Sequence, residues 1–302
     1  MRKSVRQITD GAMMIAVIGL FVIINRQFLF ILETYAAFLM PLPILFYTVK
    51  HGLRNAWVVA FGMTIISFIL GTPQSLFFMA SALANGLAYG YGVSKKKANE
   101  WLLGITILIT AATMFLTTYA FAAFFGYNVM EEVGLIIEYL KTLDSITIDA
   151  TLTATLYAMY PMVILLTAVL QSILTHISAI LLMKRLKIAV LPMRPLNTMR
   201  VPKPMGWVAL ALLFSPLIAK AMTDNIDLQV TANLVYLIAL MVFLFDTFIF
   251  LSLAAPVVKM KRLPTIALLL YLILPAPMTY VCIIIGALDI LTDFRNRVLY
   301  RR

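Results

Sequence analysis

Apolar runs, each of a length that can cross a lipid bilayer, alternate with short polar turns along nearly the whole chain. A transmembrane helix needs roughly 20 mostly apolar residues, because the hydrocarbon core is about 30 Å thick and a helix rises 1.5 Å per residue. The pattern therefore predicts an all-α fold, a polytopic transmembrane helix bundle with about nine or ten spans.

The polar turns divide most of the chain into eight predicted helices. These cover residues 8–25, 28–50, 55–70, 74–93, 101–125, 154–183, 206–219 and 233–258. Pro41 and Pro43 fall inside the second helix, where we expect a kink. The fourth helix is dense in small residues, which let another helix backbone approach closely in lipid. They are Ala80, Ala84, Ala88 and Gly92, with Ala82, Gly86 and Gly90 beside them.

Residues 264–294 admit two interpretations, one long helix or a tight hairpin bent at Pro275-Ala276-Pro277. The hairpin keeps the C-terminal arginines on the same side as the other basic clusters. Its geometry is demanding, since about 31 residues must supply two crossings. The sequence therefore leaves both nine and ten spans open.

Charge is distributed unevenly between the predicted turns. The net charge is +11, and the basic residues fall in short clusters at helix ends. Among the charged residues of the segment 127–153, by contrast, acidic residues predominate. By the positive-inside rule, we expect a multi-pass protein of the bacterial cytoplasmic membrane with its N-terminus in the cytoplasm. No basic stripe is interleaved with stacking aromatic residues, so the lipid bilayer is the expected partner and nucleic acid is not.

The proline-rich stretch before residue 205 indicates a domain boundary. Four prolines fall between Pro192 and Pro204, among basic residues and without apolar periodicity. We therefore predict a six-helix membrane domain over residues 1–190, a cytoplasmic linker over 191–205, and additional transmembrane helices over 206–302.

Sequence motifs for common enzymatic chemistry are missing. The chain has no GxxxxGK loop and no HExxH motif, only two histidines, and a single cysteine, Cys282. We therefore expect no enzymatic activity, no cofactor, no metal site and no disulfide.

A few polar residues within or beside apolar runs are candidates for function. Asp246 lies near the middle of the eighth helix, where a carboxylate is costly unless it is paired, protonated or facing a wet cavity. Gln171 and His176 share a polar stripe on the sixth helix, which indicates either helix packing or ligand contact. Asp289 and Asp293 are expected to pair with Arg295 and Arg297 at the cytoplasmic surface.

The outer ends of the first helices carry polar groups next to apolar walls. Gln27, Glu33 and Gln74 are predicted to contribute to a small-molecule pocket there, although Glu33 can equally be an interface residue. The acidic segment 127–153 is long enough to cover that pocket as a lid.

Several short stretches together resemble the YybS-like family of bacterial membrane proteins. They are Gly11-Ala12, Pro41-Leu42-Pro43, Lys50-His51-Gly52-Leu53-Arg54, Gly86-Leu87-Ala88-Tyr89-Gly90-Tyr91-Gly92 before Lys95-Lys96-Lys97, Gly286-Ala287-Leu288-Asp289 and Asp293-Phe294-Arg295. The resemblance covers nearly the whole chain and implies a membrane protein without an assigned activity.

That family is in turn similar to the substrate-binding S components of energy-coupling factor transporters, six-helix proteins with both ends in the cytoplasm. The resemblance implies that residues up to about 190 form an S-component-like domain. It also implies that Ala12 and Ala16, with Gly19 on the same face, dock on a coupling subunit of an ATPase module. Ordinary S components lack the part after residue 205.

Two functions from different classes follow. The first is a substrate-binding transport component for a small, vitamin-like or other water-soluble ligand, with energy from a partner. The second is a non-transporting membrane scaffold or regulatory protein. A membrane-embedded enzyme is a distant third, with Asp246 and His176 as its only plausible groups.

Overall fold

The computed structural model describes residues 2–122, 128–142, 149–188, 199–292 and 294–299, and the regular elements in these ranges are all helical. The all-α prediction is confirmed. One π-helical turn, Leu116–Ala120, continues α6. The helices are α1 (Arg2–Gln27), α2 (Ile31–Tyr35), α3 (Leu42–His51), α4 (Leu53–Leu70), α5 (Pro73–Ser94), α6 (Asn99–Phe115), α7 (Val129–Lys141), α8 (Ala150–Arg185), α9 (Lys203–Leu212), α10 (Ser215–Met222), α11 (Ile226–Val257), α12 (Leu263–Ile273), α13 (Pro275–Leu291) and α14 (Phe294–Leu299).

Seven helical segments among the described residues are long and apolar enough to cross a membrane. They are α1 from Val5, α4, α5, α6 with its π turn, α8, the pair α9 and α10, and α11. Other apolar segments form shorter helices, such as the 17-residue α13. The chain is therefore a polytopic membrane protein, since no soluble core would bury this much apolar helix surface.

Contacts divide the chain into two compact units. Unit 1 comprises residues 1–132 and 160–193, and unit 2 comprises residues 133–159 and 194–302. The later division falls within the segment predicted as a linker. The acidic segment is divided between the two units, because residues 133–159 belong to unit 2 together with the C-terminal part of the chain.

The predicted second helix is interrupted rather than kinked. It consists of α2 and α3, and α3 begins directly after Pro41 with Pro43 in its first turn. A proline has no N–H to donate and is tolerated at the start of a helix, where that donor would have no partner. The two prolines therefore mark a new helix start, and the expectation of one kinked helix was wrong.

The acidic segment, which lies outside the eight predicted helices, contains a helix of its own, α7. α7 carries Glu131, Glu132 and Glu138 on an amphipathic helix, and Val133 and Ile137, one turn apart, are buried. High polarity concealed the short apolar stripe, which covers only one side of thirteen residues.

Unit 1 is centred on close packing between α3 and α5. A Cβ atom on Gly86 would lie 2.3 Å from Ile44 Cγ2 and 2.6 Å from the carbonyl oxygen of Pro41. A Cβ atom on Gly90 would lie 2.6 Å from Thr48 Cβ. The contact face is thus the one that contains Gly86 and Gly90. Ala80 and Ala84, on the neighbouring row of small residues, are exposed.

Unit 2 is built around α11, which packs against α9, α10 and α13. A Cβ on Gly286 of α13 would lie 2.7 Å from the carbonyl oxygen of Phe243, and the rings of Phe250 and Phe294 are 5.3 Å apart. α13 therefore runs in the same direction as α11. Because α12 follows the end of α11 and also packs against it, the chain reverses at Leu274, in agreement with the hairpin interpretation.

We predict that Gly86→Ala and Gly90→Ala each lower the thermal unfolding midpoint of the purified protein. The added methyl group must push α3 and α5 apart, and overpacking of this kind costs about 1–3 kcal/mol. Gly104→Ala is the matched control, because it lies within α6 and a Cβ there meets nothing within 4 Å. A glycine that performs no packing role is improved by alanine in a helix. Equal midpoints for all three variants would contradict the packing account.

Candidate functional site

Unit 1 contains a partly open cavity of about 470 Å³ between α5, α6 with its π turn, and α8. Its walls mix apolar side chains with uncharged polar ones. The apolar groups include Phe77, Phe78, Met114 and Ile164. The polar groups include Gln74, Ser81, Thr113, Thr117, Tyr160 and Gln171.

The first turn of α5 fixes one end of the cavity. Thr72 and Ser75 form a reciprocal capping box, and Pro73 occupies the first turn. Glu33 of α2 is buried and accepts a hydrogen bond from the Ser75 hydroxyl at 2.5 Å. These contacts determine where α5 begins and thereby place Gln74 at the cavity.

Hydroxyl groups join α5 to α6 along one wall. The hydroxyl oxygens of Ser81 and Thr113 are 2.8 Å apart, and the Asn85 side-chain amide donates to Thr110 Oγ1 at 3.1 Å. The helix then widens into the π turn, a feature that is frequent at functional sites. Both Thr117 and Thr118, which are consecutive residues of this turn, line the cavity.

A buried polar contact lies beyond the far end of the cavity. The Tyr89 hydroxyl of α5 is 2.9 Å from His176 Nδ1 of α8, and both side chains are buried. Asn85 and Ser172 lie one helical turn closer to the cavity on the same two helices. Asn85 Oδ1, Ser172 Oγ and His176 Nε2 are all buried without a hydrogen-bond partner among the described residues.

The structure brings together only some of the residues that the sequence singled out for a ligand. Gln74 and Gln171 line the cavity, and His176 lies beyond its far end. Gln27 is exposed at the end of α1 and does not line the cavity. Glu33 does not line it either, and instead accepts a hydrogen bond from Ser75 in the first turn of α5. Asp246 belongs to unit 2. Sequence reasoning overlooked the threonines of α6, whose recurrence at 106, 110, 113 and 117 was the available signal.

The predicted lid lies partly outside the described residues, which omit 123–127 and 143–148. Within unit 1, the Tyr160 hydroxyl donates to Glu132 Oε2 at 3.0 Å, so the start of α7 touches a cavity residue. Coverage of the cavity by the whole segment stays a prediction.

The small-residue face of α1 lies along an open groove. Ala12 and Ala16 are exposed, and with Gly19 they line a shallow apolar depression beside Ile66 and Leu70 of α4. No helix of unit 1 among the described residues covers these two alanines.

Asp246 is held in a buried ionic cluster in unit 2. Arg295 donates from Nε to both carboxylate oxygens of Asp289, at 3.1 and 2.8 Å, and from Nη2 to Asp246 Oδ1 at 3.3 Å. Its Nη1 donates to the carbonyl oxygen of Met199 at 2.7 Å. Asp289 and Arg295 pair as expected, but they are buried rather than at the surface. Asp293, the other predicted partner, lies outside the described residues.

A second ionic contact, near the start of α1, was not foreseen. Asp10 Oδ2 lies 2.5 Å from Lys50 Nζ and 2.7 Å from His51 Nε2, at the end of α3. An acidic residue near a basic turn was the available signal. Because this contact ties α1 to α3, it is a structural contact within unit 1.

We predict that Arg295→Gln destabilises the protein strongly, by about 3 kcal/mol or more, because removing the guanidinium leaves two buried carboxylates without their counter-charge. Thermal unfolding in detergent measures the effect, and Arg297→Gln on exposed α14 surface is the control. Adding Asp246→Asn and Asp289→Asn to Arg295→Gln should recover part of the loss. A loss no larger than that of Arg297→Gln would show that the cluster does not contribute to stability.

Comparison with known proteins agrees with the membrane assignment. The family described as predicted membrane protein (DUF2232) matches residues 14–290. The chain is also similar to the protein named "Uncharacterized protein YybS" from Bacillus subtilis (strain 168), with 23% identity over 319 aligned positions that cover 98% of this chain and 99% of the relative. No solved structure shows a significant match.

Proposed function

The chain belongs to the DUF2232 family of membrane proteins, and we propose that it is a substrate-binding component for transport of a small water-soluble ligand, with energy supplied by a partner protein. The cavity of unit 1 is the observation that carries this proposal. Its volume of about 470 Å³ falls within the range of small-molecule sites, and its apolar walls with a few orienting polar groups have the composition of such sites.

The positive-inside rule supports an orientation for the cavity. Basic residues occur at the start of α1, at the end of α3 and between α5 and α6, at Lys95, Lys96 and Lys97. In the proposed orientation in the bacterial cell membrane, these ends lie in the cytoplasm. Gln74 is at the opposite end of α5, so the ligand would enter from the outer side.

A partner is required because the sequence carries no nucleotide-binding loop. The groove beside Ala12 and Ala16 offers a place where a helix of a coupling subunit could approach the backbone of α1 closely. This part of the proposal extends the resemblance to S components and involves no enzymatic step by this chain.

A scaffold is the alternative, and the same open groove is the observation that favours it. A non-transporting organiser of membrane partners needs an exposed packing face but no ligand. The two functions therefore differ in what the cavity of unit 1 does.

We predict that at least one compound from a library of vitamins, nucleobases and metabolites raises the thermal unfolding midpoint of the purified protein. A ligand that binds only the folded state stabilises it in proportion to the logarithm of its concentration above the dissociation constant. Gln171→Ala and Gln74→Ala should weaken such a hit about fivefold or more, since each removes a hydrogen bond to the ligand.

Gln27→Ala is the matched control for that screen, because Gln27 is exposed and does not line the cavity. If a stable, monodisperse preparation responds to no compound while a large membrane complex is recovered from cells, the transport proposal is wrong and the scaffold is favoured.

We predict that a cysteine at Lys96 is labelled by an impermeant maleimide only after cells are permeabilised, whereas a cysteine at Asn128 is labelled in intact cells. Both residues are exposed, and Cys282→Ser provides the background. Labelling of Lys96→Cys from outside would reverse the proposed orientation.

A further inference from the structure

The cavity of unit 1 carries no formal charge on its described lining. The side chains that face it are apolar, hydroxyl or amide groups, and none of those described is Asp, Glu, Lys, Arg or His. Transfer of an ion into such a site without a counter-charge is strongly unfavourable. The lining therefore favours a ligand without net charge.

The hydroxyl groups of the α6 wall are oriented by their own helix. Thr113 Oγ1 donates to the carbonyl oxygens of Ile109 and Thr110, at 2.9 and 3.0 Å, and Thr117 Oγ1 donates to those of Thr113 and Met114, each at 3.0 Å. A hydroxyl has one hydrogen to donate and two lone pairs that accept. With the hydrogen directed at the backbone, these threonines offer acceptors to a ligand.

The Ser81 contact follows from the same reasoning. Either hydroxyl can donate in the 2.8 Å contact between Ser81 and Thr113, and when the Thr113 hydrogen is directed at the backbone, Ser81 is the donor. Ser81 thus also keeps its lone pairs free and its hydrogen engaged. The α5 and α6 walls present acceptors on both sides.

Asn85 lies one turn beyond Ser81 on α5, directly behind the cavity lining. Its amide nitrogen donates to the carbonyl oxygen of Ser81 and to Thr110 Oγ1, both at 3.1 Å, and both partners belong to residues that line the cavity. Its Oδ1 is buried and has no partner among the described residues. A buried acceptor of this kind is costly unless something donates to it.

Ser172 marks the same level on α8. Its hydroxyl is buried without a described partner, one turn from His176 on the side of Gln171 and the cavity. Because Tyr89 and His176 join α5 and α8 at the next level, Asn85 and Ser172 occupy corresponding positions on the two helices. Behind the cavity lining, α5 and α8 therefore carry polar groups that have no partner among the described residues.

We infer that the cavity binds an uncharged molecule rich in hydrogen-bond donors, of the class of polyols, nucleosides or primary amides. The inference rests on the function proposed above and specifies the chemistry of its ligand. The donors of the ligand meet Thr113 and Thr117, and its less polar face packs against Phe77, Phe78 and Met114.

The test compares matched compounds that differ in charge. Nicotinamide is paired with nicotinate, adenosine with adenosine monophosphate, and inositol with inositol phosphate, while choline serves as a cationic probe. Binding to the purified full chain in lipid nanodiscs is measured by calorimetry and by thermal shift. We expect at least one neutral member to bind saturably and about tenfold or more tighter than its charged counterpart.

Variants locate the binding. Thr117→Val and Thr113→Val remove acceptors from the cavity lining and should each weaken the neutral compound about fivefold or more, the effect of losing one hydrogen bond. Thr64→Val is the matched control, since Thr64 Oγ1 also donates to its own helix, to the carbonyl oxygen of Ala60 at 3.0 Å, but lies on α4 away from the cavity. Unchanged folding of each variant is verified by its thermal midpoint without ligand.

The possible failures can be told apart. A charged member or choline that binds as tightly as the neutral compounds, and that is weakened by Thr117→Val, overturns the inference but leaves the binding function in place. Neutral binding that neither cavity variant, Thr117→Val or Thr113→Val, weakens overturns the assignment to this cavity. If no probe and no compound of the wider library binds, both the inference and the proposed function are wrong.

Discussion

The close approach of α3 and α5 is the contact on which unit 1 depends. Gly86 and Gly90 bring the two backbones so near that a Cβ atom at either position would overlap α3. In lipid, where apolar side chains gain little from meeting each other, such packing is a principal source of helix association. This packing holds α5 in place, and α5 contributes Gln74 and Ser81 to the cavity lining. Beyond the far end of the cavity, α5 also carries Tyr89, which contacts His176.

Many polar groups in the described helices find partners within the chain, since lipid offers no hydrogen bonds. Glu33 is satisfied by Ser75, Tyr89 lies in hydrogen-bonding distance of His176, and Asp289 is bound by Arg295. Asn85 Oδ1 and Ser172 Oγ are buried without a partner among the described residues, as are Ser67 Oγ and the side-chain amide of Asn25.

The two units use polar groups differently. In unit 2, Arg295 joins Asp246, Asp289 and the carbonyl oxygen of Met199, so a carboxylate deep in an apolar helix has a structural explanation. In unit 1, the cavity is lined by neutral side chains. A carboxylate in a long apolar segment is thus a weaker indication of a ligand site here than the recurrence of threonine on one helix.

The sequence by itself determined the membrane class, the helical fold and most of the helix positions, because the length of an apolar run and the bilayer thickness are both local properties. It also singled out Gln74 and Gln171 as ligand candidates, and both line the cavity. It indicated the pairing of Asp289 with Arg295 as well, because these two residues are close along the chain. Only the tertiary structure decided which of two small-residue rows on α5 makes the close contact, and that Glu33 supports a helix instead of facing the cavity. It alone placed Asp10 against Lys50 and His51, and Asp246 against Arg295. Those outcomes depend on the rotation of one helix against another and on partners distant in the chain, and neither is encoded in local periodicity.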